Sequence, residues 1–428
     1  MAYLITRREN HLSAFARFYV LFAFATAYLS AQTPVALTWQ QVKEKFAASN
    51  SQLKAGLFTI EESRAQEITA FLRPNPYLSI SNDQLVLSGN GGPFRPLANV
   101  SQSASVSYLF ERGHKRYIRK ESAEQSTAIA KFQQADLERN LLFNLRAAFV
   151  QALQAKAVLA VTRENLAYYE KLLAVSLDRY QAGDIAQVDL DRLQLQKSQY
   201  ESDVQSATNN LRAAKIQLLA LLNDRTSLDS FDVNGDFDYN EALVPLEESR
   251  QAALDARPDL RAALQSIVKA DAERRLAIAN GSIDPTFGVD FGRNPPLQPY
   301  IGVNVTIPLR VFDKNQGEKL RTSLDVTRNE RLRDAAETQV YSDVDSAYTN
   351  LIGSLALLRR YKAQYLDQSA KVRDTIAFAY KNGGASLLDF LNAQNDYRVI
   401  RLNYLNLVGT YMSAASQLNL AVGREIVQ

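Results

Sequence analysis

Hydrophobic residues recur along this chain in two rhythms, and each change of rhythm marks a change of element. Around Leu141 they return every three or four residues, at Leu145, Ala148, Phe149, Leu153, Val158 and Val161. That is the spacing of one helix face. The stretch 115–222 is rich in Ala, Leu, Gln, Glu, Lys and Arg and holds a single glycine, Gly183, and no proline. It predicts an uninterrupted helix from about Lys115 to Gln181, roughly 100 Å long at ~1.5 Å per residue, and hence an elongated molecule. Amphipathic rods of that length need partners along their whole extent. A coiled coil or spectrin-like bundle would satisfy the same periodicity.

In the proline-rich zones the rhythm shortens to two. All 12 prolines fall at Pro34, in 74–96, in 245–258 or in 285–308. "YLSIS" sets Leu78 and Ile80 against Tyr77, Ser79 and Ser81, and "ASVSYLF" alternates Val106, Tyr108 and Phe110 with Ser105 and Ser107. Further on, Phe287, Val289 and Phe291 alternate with Gly288 and Asp290. Ile301, Val303, Val305 and Ile307 alternate with Gly302, Asn304 and Thr306. These are strands with one apolar and one polar face. "SGNGGPFRP" and "GRNPPLQP" between them are turn chemistry. No Gly-Lys-Ser/Thr follows the glycines, so they are not a phosphate cradle.

The pattern is written twice. "RYQAGDIAQVDLDRLQLQ" at 179–196 matches "AYKNGGASLLDFLNAQND" at 379–396, so Tyr180 meets Tyr380, Gly183 meets Gly383, Asp189 meets Asp389 and Gln194 meets Gln394. Gln217–Leu218 falls on Gln417–Leu418 at the same shift, and Leu53 meets Leu260 at a slightly larger one. The expected organisation is therefore two structural repeats. Residues 32–236 hold a helix, strands at 77–88 and 100–110 and a helical hairpin at 115–222. Residues 237–428 hold a helix, strands at 285–292 and 300–309 and a hairpin at 317–422. The fold class is mainly α with a small β part.

Composition narrows the chemistry. With 46% hydrophobic and 22% charged residues the chain is too apolar to be disordered. A formal charge of +3 argues against a nucleic-acid partner. There is no cysteine, which excludes disulfides, thiolate nucleophiles and Cys-ligated metals. Only His11 and His114 occur, so neither a multi-His metal site nor a Ser-His-Asp triad is expected. We expect no catalytic residue, no cofactor and no resident metal. Asp236, Asp238, Asn240 and Glu247 approach the spacing of a calcium loop, but Glu241 stands where glycine is required, so this reads as an acidic surface linker.

The N-terminus reads as an address. Arg7, Arg8 and Arg17 precede an apolar run from Phe18 to Leu29, followed by Ser30 and Ala31. Residues 1–31 are expected to be a secretory signal peptide. Elsewhere no 18-residue apolar run appears. Export without a membrane helix, combined with short two-faced strands, suits an outer-membrane β-barrel. Four strands cannot close around a lumen, since eight already fill with side chains. Several copies of the chain must therefore share one barrel.

The ordered motifs resemble the TolC-type outer-membrane efflux proteins over nearly the whole mature chain. The resemblance rests on the repeated Y-x-x-G-x-x-x-x-x-D turn, the strand starts at Pro76–Tyr77 and Pro285–Thr286–Phe287, and the exits "YLFERGHKRYIRKESAE" and "IPLRVFDKNQGEKLR". The second exit is similar to the heavy-metal (CzcC-like) branch. The resemblance implies a homotrimer with a twelve-stranded outer-membrane barrel continued by a periplasmic α-helical barrel. It implies a passive exit duct that does no chemistry of its own. The partners would be a periplasmic adaptor and an inner-membrane pump of the resistance-nodulation-division class, with outer-membrane lipid around the barrel. It places Tyr180, Gly183, Asp184, Asp189, Tyr380, Gly383, Gly384 and Asp389 at a periplasmic tip, where carboxylates on the symmetry axis attract cations. Asp389 also fits a capping box with Ser386, whereas the first copy has Ala186 there. Ala385 and Asn392 depart from an Arg and an Asp that some members use to close the tip. The cargo expected is metal ions or small toxic compounds. A type I secretion duct and a soluble exported helical scaffold or adaptor remain as alternatives.

Overall fold

The computed structural model describes residues 35–84, 100–241 and 243–427. The expected signal peptide, the turn "SGNGGPFRP" and the last part of the strand expected at 77–88 lie outside the described residues. In chain order the elements are β1 (Val35–Leu37), α1 (Trp39–Ser49), α2 (Ser51–Phe71), β2 (Tyr77–Asp83), β3 (Ser101–Leu109), α3 (Lys115–Gln181) and α4 (Gln187–Leu221). There follow β4 (Phe231–Val233), α5 (Leu246–Ala256), α6 (Pro258–Asn280), β5 (Thr286–Arg293), β6 (Tyr300–Thr306), α7 (Gln316–Arg360), α8 (Leu366–Lys381) and α9 (Leu387–Val422). The long helix α3 has 67 residues without a break, as its lack of proline and internal glycine requires. No helix among the described residues is long and apolar enough to cross a membrane.

Two details differ from the sequence reading. The last strand ends at Thr306 rather than 309, because Pro308 has no N–H to donate and disfavours continuation. The first arm of the helical hairpin expected at 317–422 contains a π turn at Tyr361–Tyr365. There the Tyr361 and Tyr365 rings meet edge to face at 5.3 Å, and the Lys362 ammonium lies 4.8 Å from the Tyr239 ring centre.

The compact units cut across the two sequence repeats. One unit comprises Asn144–Tyr239, Gly353–Ser413 and the N-terminal residues up to Asn50; the other comprises Ser51–Phe143, Asn240–Ile352 and Ala414 onward. In the first, β1 and β4 form a parallel ribbon with Val35 opposite Phe231. Asp232 of that ribbon accepts from Lys156 at 2.5 Å and pairs with Lys215 at 3.2 Å, which ties it to α3 and α4. Trp39 packs on Phe149 at 5.6 Å with the Arg146 guanidinium over its ring. In the second unit, the buried Arg257 joins Asp259 and Asp343 and donates to the Ala421 carbonyl. This network fixes the break between α5 and α6. Removing one member of such a buried set strands the others.

In the first unit Lys45 donates to Asp224 at 2.5 Å, linking the end of α1 to the residues after α4. The hydrogen bonds from Lys45 and Thr226 hold the Asp224 carboxyl down at about 2. A depressed carboxyl stabilises the fold above its unfolded value near ~3.9, and the contribution is lost as pH falls toward the folded value. Asp224→Asn is therefore expected to lower thermal stability near neutral pH by about 1 kcal/mol after solvent screening. Circular-dichroism melts should show the gap from the parent protein closing between about pH 4 and pH 2; a gap of constant size across that window would contradict the assignment.

Candidate functional site

The four-stranded sheet of the second unit runs in the order β2-β3-β5-β6, all antiparallel. The junction β3–β5 joins the hairpin of the first repeat to that of the second. Its register sorts side chains by face. Leu78, Val106, Val289 and Val303 lie in one row across the strands, and Ile80, Ala104, Phe291 and Ile301 in another. Tyr108, Phe287 and Val305 make a third row on the same face. The opposite face carries Ser79, Ser105, Asp290 and Gly302 in one row and Tyr77, Ser107, Gly288 and Asn304 in the next. A one-residue slip would exchange the faces, so the register is strongly specified.

Among the described residues the apolar face has no cover. Val303 is 83% exposed and Ile301 77%. On the polar face Ser, Gly, Asn and Asp are joined by Tyr77 and Tyr300, and Asn304 donates to Asp290 at 3.3 Å. Among the described residues β2 and β6 have no partner on their outer sides. Their backbone groups along those edges are open for pairing.

The two matching turns lie in the first unit and are built alike. Gly183 (φ +84°) and Gly383 (φ +77°) adopt the left-handed conformation that L side chains resist. In the first turn the Asp184 N–H donates to the Arg179 carbonyl at 2.8 Å, and in the second Gly384 donates to Ala379 at 2.8 Å. This six-to-one bond is the Schellman closure of a helix end. Each turn ends α3 or α8 and sends the chain back along α4 or α9.

The turn residues nevertheless sit in unequal surroundings. Tyr380 is buried (8% exposed) and stacks on Phe390 at 5.0 Å, whereas its counterpart Tyr180 is 37% exposed. The Tyr380 ring is thus packed where the Tyr180 ring is open, while the Tyr380 carbonyl accepts from the Gly383 N–H at 3.2 Å. Tyr169, Leu193, Tyr200, Leu387 and Phe390 complete its cluster, with Ala385 against the edge. Burial pushes the Tyr380 hydroxyl up; Arg179 opposes the shift and Asp189 reinforces it. Asp189 is half-buried; its N–H donates to the Ala186 carbonyl at 3.1 Å, and its carboxylate has no hydrogen-bond or ion-pair partner among the described residues. Asp389 is exposed and closes a reciprocal cap: its carboxylate accepts from the Ser386 hydroxyl at 2.7 Å, and its N–H donates back at 3.1 Å. The first turn has no side-chain cap at Ala186. Asp184, Gly183, Gly383 and Gly384 are exposed at the loop.

Sequence reasoning missed the residues that bind the two hairpins together. Arg179 reaches the Tyr380 carbonyl at 3.5 Å, with its guanidinium 5.5 Å from the Tyr380 ring. Farther along, Arg398 pairs with Asp203, Arg401 pairs with Glu164 at 2.8 Å, and Arg373 lies 3.9 Å over Tyr397. Arg and Tyr placed three or four residues apart on α9 were the available signal. No group of His, Cys, Asp or Glu among the described residues is arranged to hold a metal, and this includes the Asp236–Glu247 stretch.

No family model matches the sequence. The chain is similar to the cobalt-zinc-cadmium resistance protein CzcC of Cupriavidus metallidurans, with 23% identity over 91% of this chain and 90% of that one. Among solved structures it superposes on CusC, described as forming a transmembrane channel, with TM-score 0.77 and 18% identity over 92% of this chain and 94% of that one. It also superposes on the outer-membrane channel OprN, with TM-score 0.74 and 16% identity over 90% of this chain and 89% of that one. The fold is that of these channels.

The turn geometry yields a differential test. A Cβ at Gly183 or Gly383 meets no atom within 4 Å, so the cost of alanine is conformational. Gly183→Ala and Gly383→Ala are each expected to lower stability by about 1 kcal/mol. Gly384→Ala, at an ordinary φ with 3.6 Å to the nearest atom, is expected to be nearly neutral. Thermal melts that place all three variants together would refute this reading of the turns.

Proposed function

We infer that this chain is a TolC-type outer-membrane channel, the exit duct of a tripartite efflux system that extends from the outer membrane into the periplasm. The observation that carries the reading is the sheet: one face is apolar over three rows, the other carries Ser, Gly, Asn and Asp with Tyr77 and Tyr300, and both outer edges are open among the described residues. In lipid every backbone N–H and C=O must find a partner, so such a sheet is stable only when its edges are sealed into a closed barrel. Channels of this type are trimers that work with periplasmic adaptors and inner-membrane pumps. For this chain we propose three copies, β6 of each pairing with β2 of the next, to give twelve strands. Twelve leave a lumen where eight would not.

The cargo we propose is heavy-metal cations, by analogy with the cobalt-zinc-cadmium resistance protein. The pump would be of the resistance-nodulation-division class. Transport energy and selection would come from the pump, and the duct would contribute a polar passage. We assign Gly183, Asp184, Asp189, Gly383, Gly384 and Asp389 to the periplasmic tip, with Tyr180 on its exposed flank and Tyr380 in its packed base. Of the matched pair Asp189 and Asp389, Asp189 has the carboxylate free to act on passing cations, because Asp389 is engaged by Ser386. Ala385 and Asn392 stand where some members of the family carry closing residues, so tip closure would rely on the Arg179–Tyr380 contact.

Two experiments test the reading. Val303→Arg on the apolar face is expected to cost about 2–4 kcal/mol of membrane insertion, whereas Ser105→Arg on the polar face spares it. Recovery of both variants equally from the outer-membrane fraction would sink the barrel assignment. In planar bilayers Asp189→Ala should reduce cation preference more than Asp389→Ala. Identical single-channel currents for the parent and both variants would remove the tip assignment.

A further inference from the structure

Where β3 runs into α3, a cleft of about 460 Å³ opens on the same side of the sheet as the apolar rows. Tyr108 and Phe110, which continue the apolar alternation of β3, form its upper wall, and Phe110 meets Phe287 edge to face at 6.4 Å. Its lower wall is cationic, with Arg73, Arg112 and Arg116 beside Tyr117. The other charges at the site neutralise one another. Lys115, 2% exposed, pairs with Asp284 at 2.5 Å, and Arg119 is held by Glu111 at 2.5 and 2.9 Å. The side chains of Arg73, Arg112 and Arg116 have no carboxylate partner among the described residues. Arg116 is instead held in place by aromatic rings, 4.4 Å from the centre of Phe71 and 5.0 Å from that of Tyr117.

The arrangement runs against local stability. Helix α3 begins at Lys115 with no acidic residue in its first turn. The start of a helix carries partial positive charge, and cations gathered there repel it and one another. An anion seated among them would reverse that cost. The matching start of α7 has Glu318 in its first turn.

We propose that this cleft binds the phosphate of an anionic phospholipid from the periplasmic leaflet, with the acyl chains running up over Phe110 and Phe287. The proposal rests on the channel reading, which makes the apolar rows the lipid-facing surface. A headgroup would then lie at the base of those rows, at the level of the three arginines. The competing occupant is a second copy of the chain, through the exposed exit segment containing Leu309 and Phe312. That segment carries Arg310 and Lys314 against a single Asp313. It has no charge complementarity to a basic cleft, whereas a phosphodiester does.

Native mass spectrometry of the full-length mature protein in mild detergent, titrated with phosphatidylglycerol, phosphatidylcholine and inorganic phosphate, tests this. Phosphatidylglycerol should be retained in preference to phosphatidylcholine. Replacing Arg73, Arg112 and Arg116 by Gln should weaken its binding about fivefold for each arginine removed. The corresponding triple Lys variant should retain it, which separates lost charge from lost fold. Equal retention of the two lipids, displacement of phosphatidylglycerol by equimolar inorganic phosphate, or an unchanged Gln variant would each overturn the proposal. The chain is free of cysteine, so an Arg116→Cys, Phe312→Cys pair reports directly on the competing occupant. An inter-subunit crosslink there would also overturn the proposal. Insertion into phosphatidylcholine vesicles separates the two levels of inference. Insertion without lipid preference defeats this site alone, and failure to insert defeats the channel reading with it.

Discussion

Backbone hydrogen bonding in a medium that offers none is the constraint on which the rest of this structure depends. Four antiparallel strands satisfy each other's N–H and C=O groups at three junctions and leave the outer sides of β2 and β6 open. In water those edges would be a liability, and in lipid they would be prohibitive unless joined. The alternation along the strands makes sense only with closure. On the barrel reading it turns Leu78, Val106, Val289 and Val303 toward hydrocarbon and Ser79, Ser105, Asp290 and Gly302 toward water.

The helical parts answer a different requirement. A helix of 67 residues cannot bury its apolar stripe alone, and each repeat supplies a returning helix through a glycine turn. The turn works because glycine accepts the left-handed conformation and the Schellman bond satisfies an otherwise orphaned carbonyl. Around these turns the protein is bound by aromatic and charged contacts as well as aliphatic packing. Tyr169 on Tyr200, Tyr380 on Phe390 and Arg373 on Tyr397 join helices through flat faces. Burial raises the hydroxyl values of Tyr169 and Tyr200, so these groups stay neutral within the cluster.

Equivalent residues of the two matched turn segments do unlike work. Tyr380 is packed while Tyr180 is exposed, and Asp389 caps a helix while Asp189 caps nothing. The exits from the strands have diverged in the same way. The first enters its helix through a cluster of arginines, and the second through a glutamate. Each member of a matched pair has its own neighbours, and those neighbours set what it does.

Much of this was legible along the chain because it is local. Proline positions bounded the helices, period-two alternation marked the strands and their faces, and the matched segments located the two turns at Gly183 and Gly383. Each of these depends on residues a few positions apart. The tertiary structure alone decided that β3 pairs with β5 and thereby fuses the repeats, and that Tyr380 rather than Tyr180 is buried. It also decided that Arg179 reaches across to Tyr380 and that three arginines surround one cleft below the apolar rows. These facts depend on groups distant in sequence that meet only after folding, and periodicity carries no trace of which distant surface a given face will touch.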